Sequence, residues 1–290
     1  MKPASFSRLV PTSVPEALAM LGAHAPEACV LAGGQSLVPM MNFRLARPPV
    51  LVDLNGVSEL AYIRDEGDHL AIGAMTRERT IENSDLVRAA SPLLHEATLF
   101  IGHLPIRSRG TIGGSIANAD PAAEYPAVVL ALDATLVAQS VRGERRIPAD
   151  KFFDGVMSTA LEPDEILTEI IVPKMPAGSG AAFVEIARRH GDFALAGVAA
   201  QLTLAGDAVT SIRLAACGVG PCPIRLVNTE AQIRAGGLSD NAIKAAVRAA
   251  AAEVDPDGDV HATVAFRRRL AGVMTKRALV KASERARQTA

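Results

Sequence analysis

Apolar positions in this chain fall in short runs cut by Gly and Pro, and a long helical periodicity appears only near the carboxyl end. Ser13-Val14-Pro15-Glu16 has the form of a capping box with Pro in the first turn. Ala17, Leu18, Met20 and Leu21 follow at helical spacing, and Gly22 is expected to stop that helix. Ala28-Cys29-Val30-Leu31-Ala32 reads as a short buried strand ending at Gly33-Gly34-Gln35-Ser36, and Val50-Leu51-Val52-Asp53-Leu54 as a second after Pro48-Pro49. Together these predict a small α+β unit over about residues 1–57.

Leu60-Ala61-Tyr62-Ile63 and His69-Leu70-Ala71-Ile72 flank Asp65-Glu66-Gly67-Asp68, which predicts a hairpin. Helical patterns run from Thr76 to Glu82 and from Ser84 to Phe100, a glycine-rich loop is expected from Arg109 to Asp120, and Tyr125 to Leu132 reads as a helix. A second hairpin joins Ala134–Gln139 to Glu144–Ile147 through Arg142-Gly143, and Ile166 to Val172 is a strand closed by Pro173. Lys174 to Gly180 looks like a linker. Three strands (Ala181–Arg188, Ala194–Leu204, Ser211–Val219) and two helices (Asn241–Val254 behind Asp240, and His261–Ala282) then predict a separate α+β domain.

Composition narrows the function. Apolar residues are 49% and charged residues 21%, enough for sizeable cores and unlike a disordered chain. Lys plus Arg is 30 against 31 Asp plus Glu, so the basic excess of a nucleic-acid binder is missing, and Arg267-Arg268-Arg269 reads as a solvated helix face. No run approaches the ~20 apolar residues of a membrane span, and the amino end lacks an apolar signal core; a cytoplasmic protein is expected. Cys29, Cys217 and Cys222 are too few for an iron–sulfur cluster, and Cys217-x4-Cys222 lacks the companion ligands of a zinc site. They are expected to be reduced, small apolar fillers. Eight Phe, two Tyr and no Trp make a poor base-stacking platform.

Two glycine pairs carry the candidate chemistry: Ala32-Gly33-Gly34-Gln35-Ser36-Leu37 and Thr111-Ile112-Gly113-Gly114-Ser115-Ile116. Adjacent glycines let backbone approach a ligand, and consecutive N–H groups can form an anion-binding nest. Ser36, Ser115 and Thr111 add hydroxyl donors. Either pair alone reads as a tight turn; two of like composition point to the two phosphates of a dinucleotide. Neither is G-x-G-x-x-G or G-x-x-x-x-G-K-[ST], so Rossmann and P-loop sites are not supported.

The first motif, continuing through Val38-Pro39 to Arg44-Leu45, resembles the first FAD signature of the flavoprotein subunits of molybdenum hydroxylases. Ile106-Arg107-Ser108-Arg109-Gly110-Thr111-Ile112-Gly113-Gly114-Ser115, running on to Asn118-Ala119-Asp120-Pro121-Ala122-Ala123-Glu124, resembles the second. Lys151-Phe152-Phe153-Asp154-Gly155 and the segment from His261 to Leu279 extend the likeness over essentially the whole chain. The chain is thus similar to the medium subunits of the carbon monoxide dehydrogenase and xanthine dehydrogenase type.

That resemblance implies an α+β fold: a PCMH-type FAD-binding domain over 1–176, in subdomains of about 1–57 and 58–176, then a carboxyl-terminal α+β flavoprotein domain over 177–290. It implies FAD as the cofactor and no catalytic acid, base or metal ligand on this chain. The partners it implies are a large subunit with the molybdenum cofactor and a small subunit with two [2Fe–2S] clusters, assembled as a dimer of heterotrimers. Electrons would pass from those clusters through FAD to an external acceptor.

The implied cofactor-binding residues are Leu31, Ala32, Gly33, Gly34, Gln35, Ser36 and Leu37 in the first motif, and Gly110, Thr111, Ile112, Gly113, Gly114 and Ser115 in the second. Glu124 would meet a ribose or ribityl hydroxyl rather than the diphosphate, which would repel it. Ile101 and Leu167 would lie near the flavin ring, and Phe193, in Arg188-Arg189-His190-Gly191-Asp192-Phe193, would shield one ring face. Asn118 and Asp120 share the second loop, where such residues also simply build turns. Gln35 stands where the carbon monoxide enzymes tend to have His, which argues against that substrate, and no cysteine-bearing insertion points to the benzoyl-CoA reductase branch. Two other readings are a stand-alone flavin oxidoreductase of the same fold, disfavoured because the first loop has no His for a covalent flavin, and a non-enzymatic nucleotide-binding module.

Overall fold

Three sheets succeed one another along the chain in the computed structural model, which describes residues 2–289. The first is parallel and holds β1 (Ser7–Leu9), β2 (Ala28–Leu31) and β3 (Val50–Asp53) in the order β1-β3-β2, with α1 (Val14–His24) and α2 (Leu37–Asn42) as its connections. Ser13 caps α1 by accepting from the Glu16 N–H at 3.3 Å. Glu16 does not return to Ser13; its carboxylate accepts from the Thr12 N–H and hydroxyl at 2.7 and 3.0 Å, closing the cap one residue earlier than the motif predicts. Nor does Gly22 end the helix, which runs on to His24, where Nδ1–H donates to the Met20 carbonyl at 2.9 Å. The largely exposed edge strand β1 and the single-turn α2 have no periodicity to betray them.

The second sheet is antiparallel, in the order β4-β5-β10-β6-β7, from β4 (Ile63–Asp65), β5 (His69–Gly73), β6 (Thr135–Ser140), β7 (Gly143–Pro148) and β10 (Ile166–Pro173). Both expected hairpins are present. A small ribbon, β8 (Phe153–Gly155) and β9 (Ser158–Thr159), precedes β10. Six short helices fill the long excursion between β5 and β6: α3 (Glu78–Glu82), α4 (Asp85–Ala90), α5 (Pro92–Thr98), α6 (Leu104–Arg107), α7 (Ile112–Asn118) and α8 (Glu124–Ala131). The single helix expected over 84–100 is broken at Ser91 (φ −141°, ψ 70°), because Pro92 disfavours helical backbone in the residue before it. The Ala90 carbonyl at the break accepts from the Met175 N–H at 2.8 Å.

The third sheet, in the order β11-β12-β13-β14, contains β11 (Ser179–Ile186), β12 (Ala196–Ala205), β13 (Ala208–Cys217) and β14 (Ile224–Arg225); α9 (Val227–Gly236), α10 (Asp240–Glu253) and α11 (Val264–Thr289) follow. Ser179 already belongs to β11, so the linker is shorter than expected, and Ser239 rather than Asp240 caps α10. This sheet is buried on both faces. Ala181, Phe183, Ala199, Ala215 and Cys217 join the core built on α5 and α8, while their strand neighbours Ala182, Val198, Ala200, Leu214 and Ala216 pack with Leu270, Met274 and Leu279 of α11. Continuous Ala-rich strands are what a sheet covered on both sides requires.

Glu96 on α5 pins these layers together. Its carboxylate accepts from the Phe183 N–H (3.0 Å), from Lys281 Nζ (2.5 Å) and from Arg285 at 2.7 and 3.0 Å. Burial alone would raise its titration; the hydrogen bonds from Arg285 and Lys281 outweigh that and hold it below its ordinary value.

Candidate functional site

Asp53, at the end of β3, begins the site. Its buried carboxylate accepts from Arg8 Nε at 2.9 Å, from the Asn55 N–H at 3.0 Å and from Asn55 Nδ2 at 2.5 Å. Burial opposes ionisation there, but the bonds from Asn55 and Arg8 win and lower its titration. Asn55 Nδ2 also reaches the Ala32 carbonyl at 2.9 Å. Arg77 donates to Asn55 Oδ1 at 2.6 Å and, through its other terminal nitrogen, to the Arg109 carbonyl. Asn55 and Arg77 therefore tie the first glycine motif to the second, although the two are distant in sequence.

The first motif is an open loop between β2 and α2. Gly33 is buried, and a Cβ there would run into the Arg109 carbonyl and the Gly110 Cα, so the two motifs touch through backbone. Gly34 has φ +73°, which Gly adopts without strain. Gln35 Nε2 folds back to the Gly33 carbonyl at 3.1 Å, and the Ser36 hydroxyl makes no cap bond to α2. Among the described residues, no chain oxygen accepts from the N–H groups of Gly33, Gly34, Gln35, Ser36 or Leu37. Five successive uncommitted N–H groups are the donors that an anion nest needs.

The second motif differs from the expected loop. Residues 112–118 are the helix α7, capped by Thr111, whose Oγ1 accepts from the Gly114 N–H at 3.1 Å. The Ile112, Gly113 and Ser115 N–H groups go to the carbonyls of Thr76 (3.1 Å), Ala74 (2.9 Å) and Thr111 (3.0 Å). This glycine pair is thus no mirror of the first: its N–H groups from Ile112 to Ser115 are spent on the chain itself. Gly113 serves close packing, since a Cβ there would collide with the Ala74 backbone.

Between the motifs lies a cleft of about 450 Å³. Of the residues proposed from sequence, all line it except Leu31, in β2, and Ile112, which is wholly buried in the core. Ile101 and Leu167 are buried wall residues, and Phe193 is 61% exposed. Asp120 lies in a turn, its Oδ1 accepting from the Ala122 N–H at 2.9 Å, beyond the left-handed Ala119 (φ +49°). Glu124 opens α8, and burial pushes its titration up to about 7.

Several lining residues escaped the sequence reading. Cys29, Ala74, Met75 and Ile106 belong to buried or half-exposed apolar patterns, and Glu78 looks like any acid in a helical first turn. In the fold Glu78 is 4% exposed, its Oε2 has no partner, and burial, with the Glu124 charge second, pushes its titration up to about 8.

The cleft fits an elongated anionic cofactor with an apolar ring. One end offers the free N–H row; the walls are apolar; and a backbone contact without side chains sets its waist at Gly33 and Gly110. The comparisons agree. Residues 4–175 match the family described as FAD binding domain in molybdopterin dehydrogenase, and residues 181–282 match the CO dehydrogenase flavoprotein C-terminal domain. The chain is 44% identical to the 6-hydroxypseudooxynicotine dehydrogenase complex subunit alpha of Paenarthrobacter nicotinovorans, over 100% of this chain and 98% of the relative. It is 41% identical to the caffeine dehydrogenase subunit beta of Pseudomonas sp. (strain CBB1), over 98% and 97%. Its fold matches a chain of carbon monoxide dehydrogenase from Hydrogenophaga pseudoflava with a TM-score of 0.96 and 41% identity, covering 98% of this chain and 99% of that one.

Fold, cleft and matches define a flavoprotein component of an oxidoreductase, with FAD as its cofactor. More narrowly, the chain belongs to the family of FAD-binding medium subunits of molybdenum hydroxylases, of the carbon monoxide dehydrogenase type. Its relatives bear the names of subunits and medium chains of multi-subunit enzymes. Among the described residues, no helix is long and apolar enough to cross a membrane.

Proposed function

We propose that this chain is the electron-transfer component of a heterotrimeric molybdenum hydroxylase, holding FAD in the cleft between its two glycine motifs. The observation that carries the reading is the row of N–H groups without a chain acceptor, from Gly33 to Leu37, lining the same cleft as a motif whose own N–H groups are satisfied. The first loop supplies the donors for the diphosphate. The second supplies the Thr111 and Ser115 hydroxyls and a rigid wall. Residues 1–176 form the FAD-binding domain and 177–290 the flavoprotein domain that backs it.

Bound FAD supplies the redox chemistry, accepting electrons singly from [2Fe–2S] clusters on a small partner subunit and releasing them in pairs to an external acceptor. The protein binds and orients it. Ile101 and Leu167 exclude water from one side of the cleft. Glu124 accepts from a ribose or ribityl hydroxyl. Phe193, exposed here, is placed to cover a ring face. Substrate oxidation belongs to a large partner subunit carrying the molybdenum cofactor, and the assembly is a dimer of heterotrimers.

The test is purification of the full chain alone and with the proteins encoded beside it. The expected result is a yellow chain that binds one FAD, oxidises no organic substrate alone, and co-purifies with molybdenum and ferredoxin-like subunits. Robust turnover of an organic substrate by the chain alone would overturn the reading in favour of a stand-alone flavin oxidoreductase.

A further inference from the structure

Glu78 lines the cleft at the point where the two motifs meet. Its backbone N–H donates to the Gly110 carbonyl at 3.0 Å, and its carboxyl lies against the Gly110 Cα, so that a side chain at residue 110 would strike all three carboxyl atoms. The Gly110 Cα is in turn one of the atoms that a side chain at residue 33 would strike. The carboxyl therefore sits at the waist of the cleft, beside the proposed diphosphate seat.

Among the described residues, neither arginine whose charge reaches it makes an ion pair with it. Arg77, its neighbour in sequence, is turned away to the Arg109 carbonyl and Asn55. Arg107 on α6 is engaged by Glu82 at 2.9 and 3.2 Å and by the Ile101 carbonyl at 2.9 Å. The groups facing it from α8 are Glu124, also buried, and Tyr125, whose hydroxyl is held by Thr98 at 2.9 Å. An ionised carboxylate here would be buried, unpaired and close to a second acid, and would repel a diphosphate. A neutral carboxylic acid has the opposite effect, because it gains an O–H donor.

We infer that Glu78 keeps its proton in the floor of the cleft and donates it in a hydrogen bond to an anionic oxygen of the FAD diphosphate. This rests on the cofactor-binding reading above. Glu78 is then a positioning residue, whose unpartnered Oε2 adds a side-chain donor beside the N–H row of the first loop. The direction of its titration, up to about 8, agrees with a carboxyl that is neutral at physiological pH.

The experiment is FAD titration of the full chain, followed by quenching of flavin fluorescence, from about pH 6 to about pH 9.5. Binding that requires the proton is flat below the free carboxyl's titration and weakens by up to about tenfold per pH unit above it. The wild-type chain is expected to show that fall above about pH 8. E78Q keeps a donor and cannot ionise, so it binds at pH 6 within about threefold of wild type and loses the fall above pH 8. A second readout does not depend on the variant folding: infrared difference spectra of the wild-type chain should show a protonated-carboxyl C=O band that shifts to lower frequency when FAD is added. A fall above pH 8 that persists in E78Q, or a carboxyl band unmoved by FAD, overturns the inference and leaves the cofactor reading intact. No FAD binding at any pH defeats the cofactor reading itself.

Discussion

Arg77 donates to the carbonyl oxygen of Arg109, and the same guanidinium holds Asn55, whose amide in turn holds the Ala32 carbonyl at 2.9 Å. One side chain from the turn after β5 thus sets the distance between the two halves of the cofactor cradle. Arg77→Ala should weaken FAD binding about 10- to 100-fold, the worth of one or two charge-assisted hydrogen bonds. Arg77→Lys should recover only part of this, since an ammonium lacks the planar fork that spans two acceptors. Equilibrium FAD titration measures both, and unchanged affinity in Arg77→Ala would remove the clamp from the account.

Gly33→Val should abolish flavin occupancy, because its side chain must occupy the space of the Arg109 carbonyl and the Gly110 Cα. Gly114→Ala should do less: its Cβ meets side-chain atoms only, the Thr111 hydroxyl and the Ala32 Cβ at 3.4 Å, and no backbone. The ratio of flavin to protein absorbance in the purified variants checks the order. Equal occupancy in both would contradict it.

Thr111 supports the second motif as a helix cap. Thr111→Ala should lose about 1 kcal/mol of stability, lowering Tm by about 2–4 °C. Thr111→Ser, which keeps the oxygen that accepts from the Gly114 N–H, should keep most of it. Thermal unfolding without added FAD separates this structural role from cofactor contact.

Glu96 makes interlayer stability depend on acid. Its titration is lower in the fold than its ordinary value of 4.5, so its contribution is complete above that value and disappears as pH falls through the lower folded value. Glu96→Gln should cost about 2–3 kcal/mol at neutral pH, between the exposed and buried ion-pair ranges. The gap from wild type should close on acidification below pH 4.5. Urea midpoints at neutral and acid pH test this; a gap that widens with acid would reverse the sign of the argument.

Much of this was legible in the chain because local rules coincide with the fold at those places. The β2 strand running into Gly33-Gly34, the two hairpins and the Ala-rich strands each carry their own period or turn chemistry. What escaped depends on contacts between distant segments. Residues 112–118 looked like a loop because Gly113 and Gly114 are poor helix formers, yet Thr111 capping and the seat on Ala74 make the helix. Arg77 and Asn55 are ordinary polar residues until the fold joins the carbonyls they bridge. Glu78 is an unremarkable acid until burial removes its water. The glycine motifs themselves were legible; the division of labour between them required the hydrogen-bond partners of each N–H.

The central claim is that the first loop, through the N–H groups of Gly33 to Leu37, grips the diphosphate of FAD. A structure of the full chain with FAD bound tests it most directly. The account predicts diphosphate oxygens within hydrogen-bond reach of those five N–H groups, with Thr111 and Ser115 opposite. A diphosphate seated elsewhere, with the N–H groups of Gly33 to Leu37 facing solvent or another peptide, would contradict it.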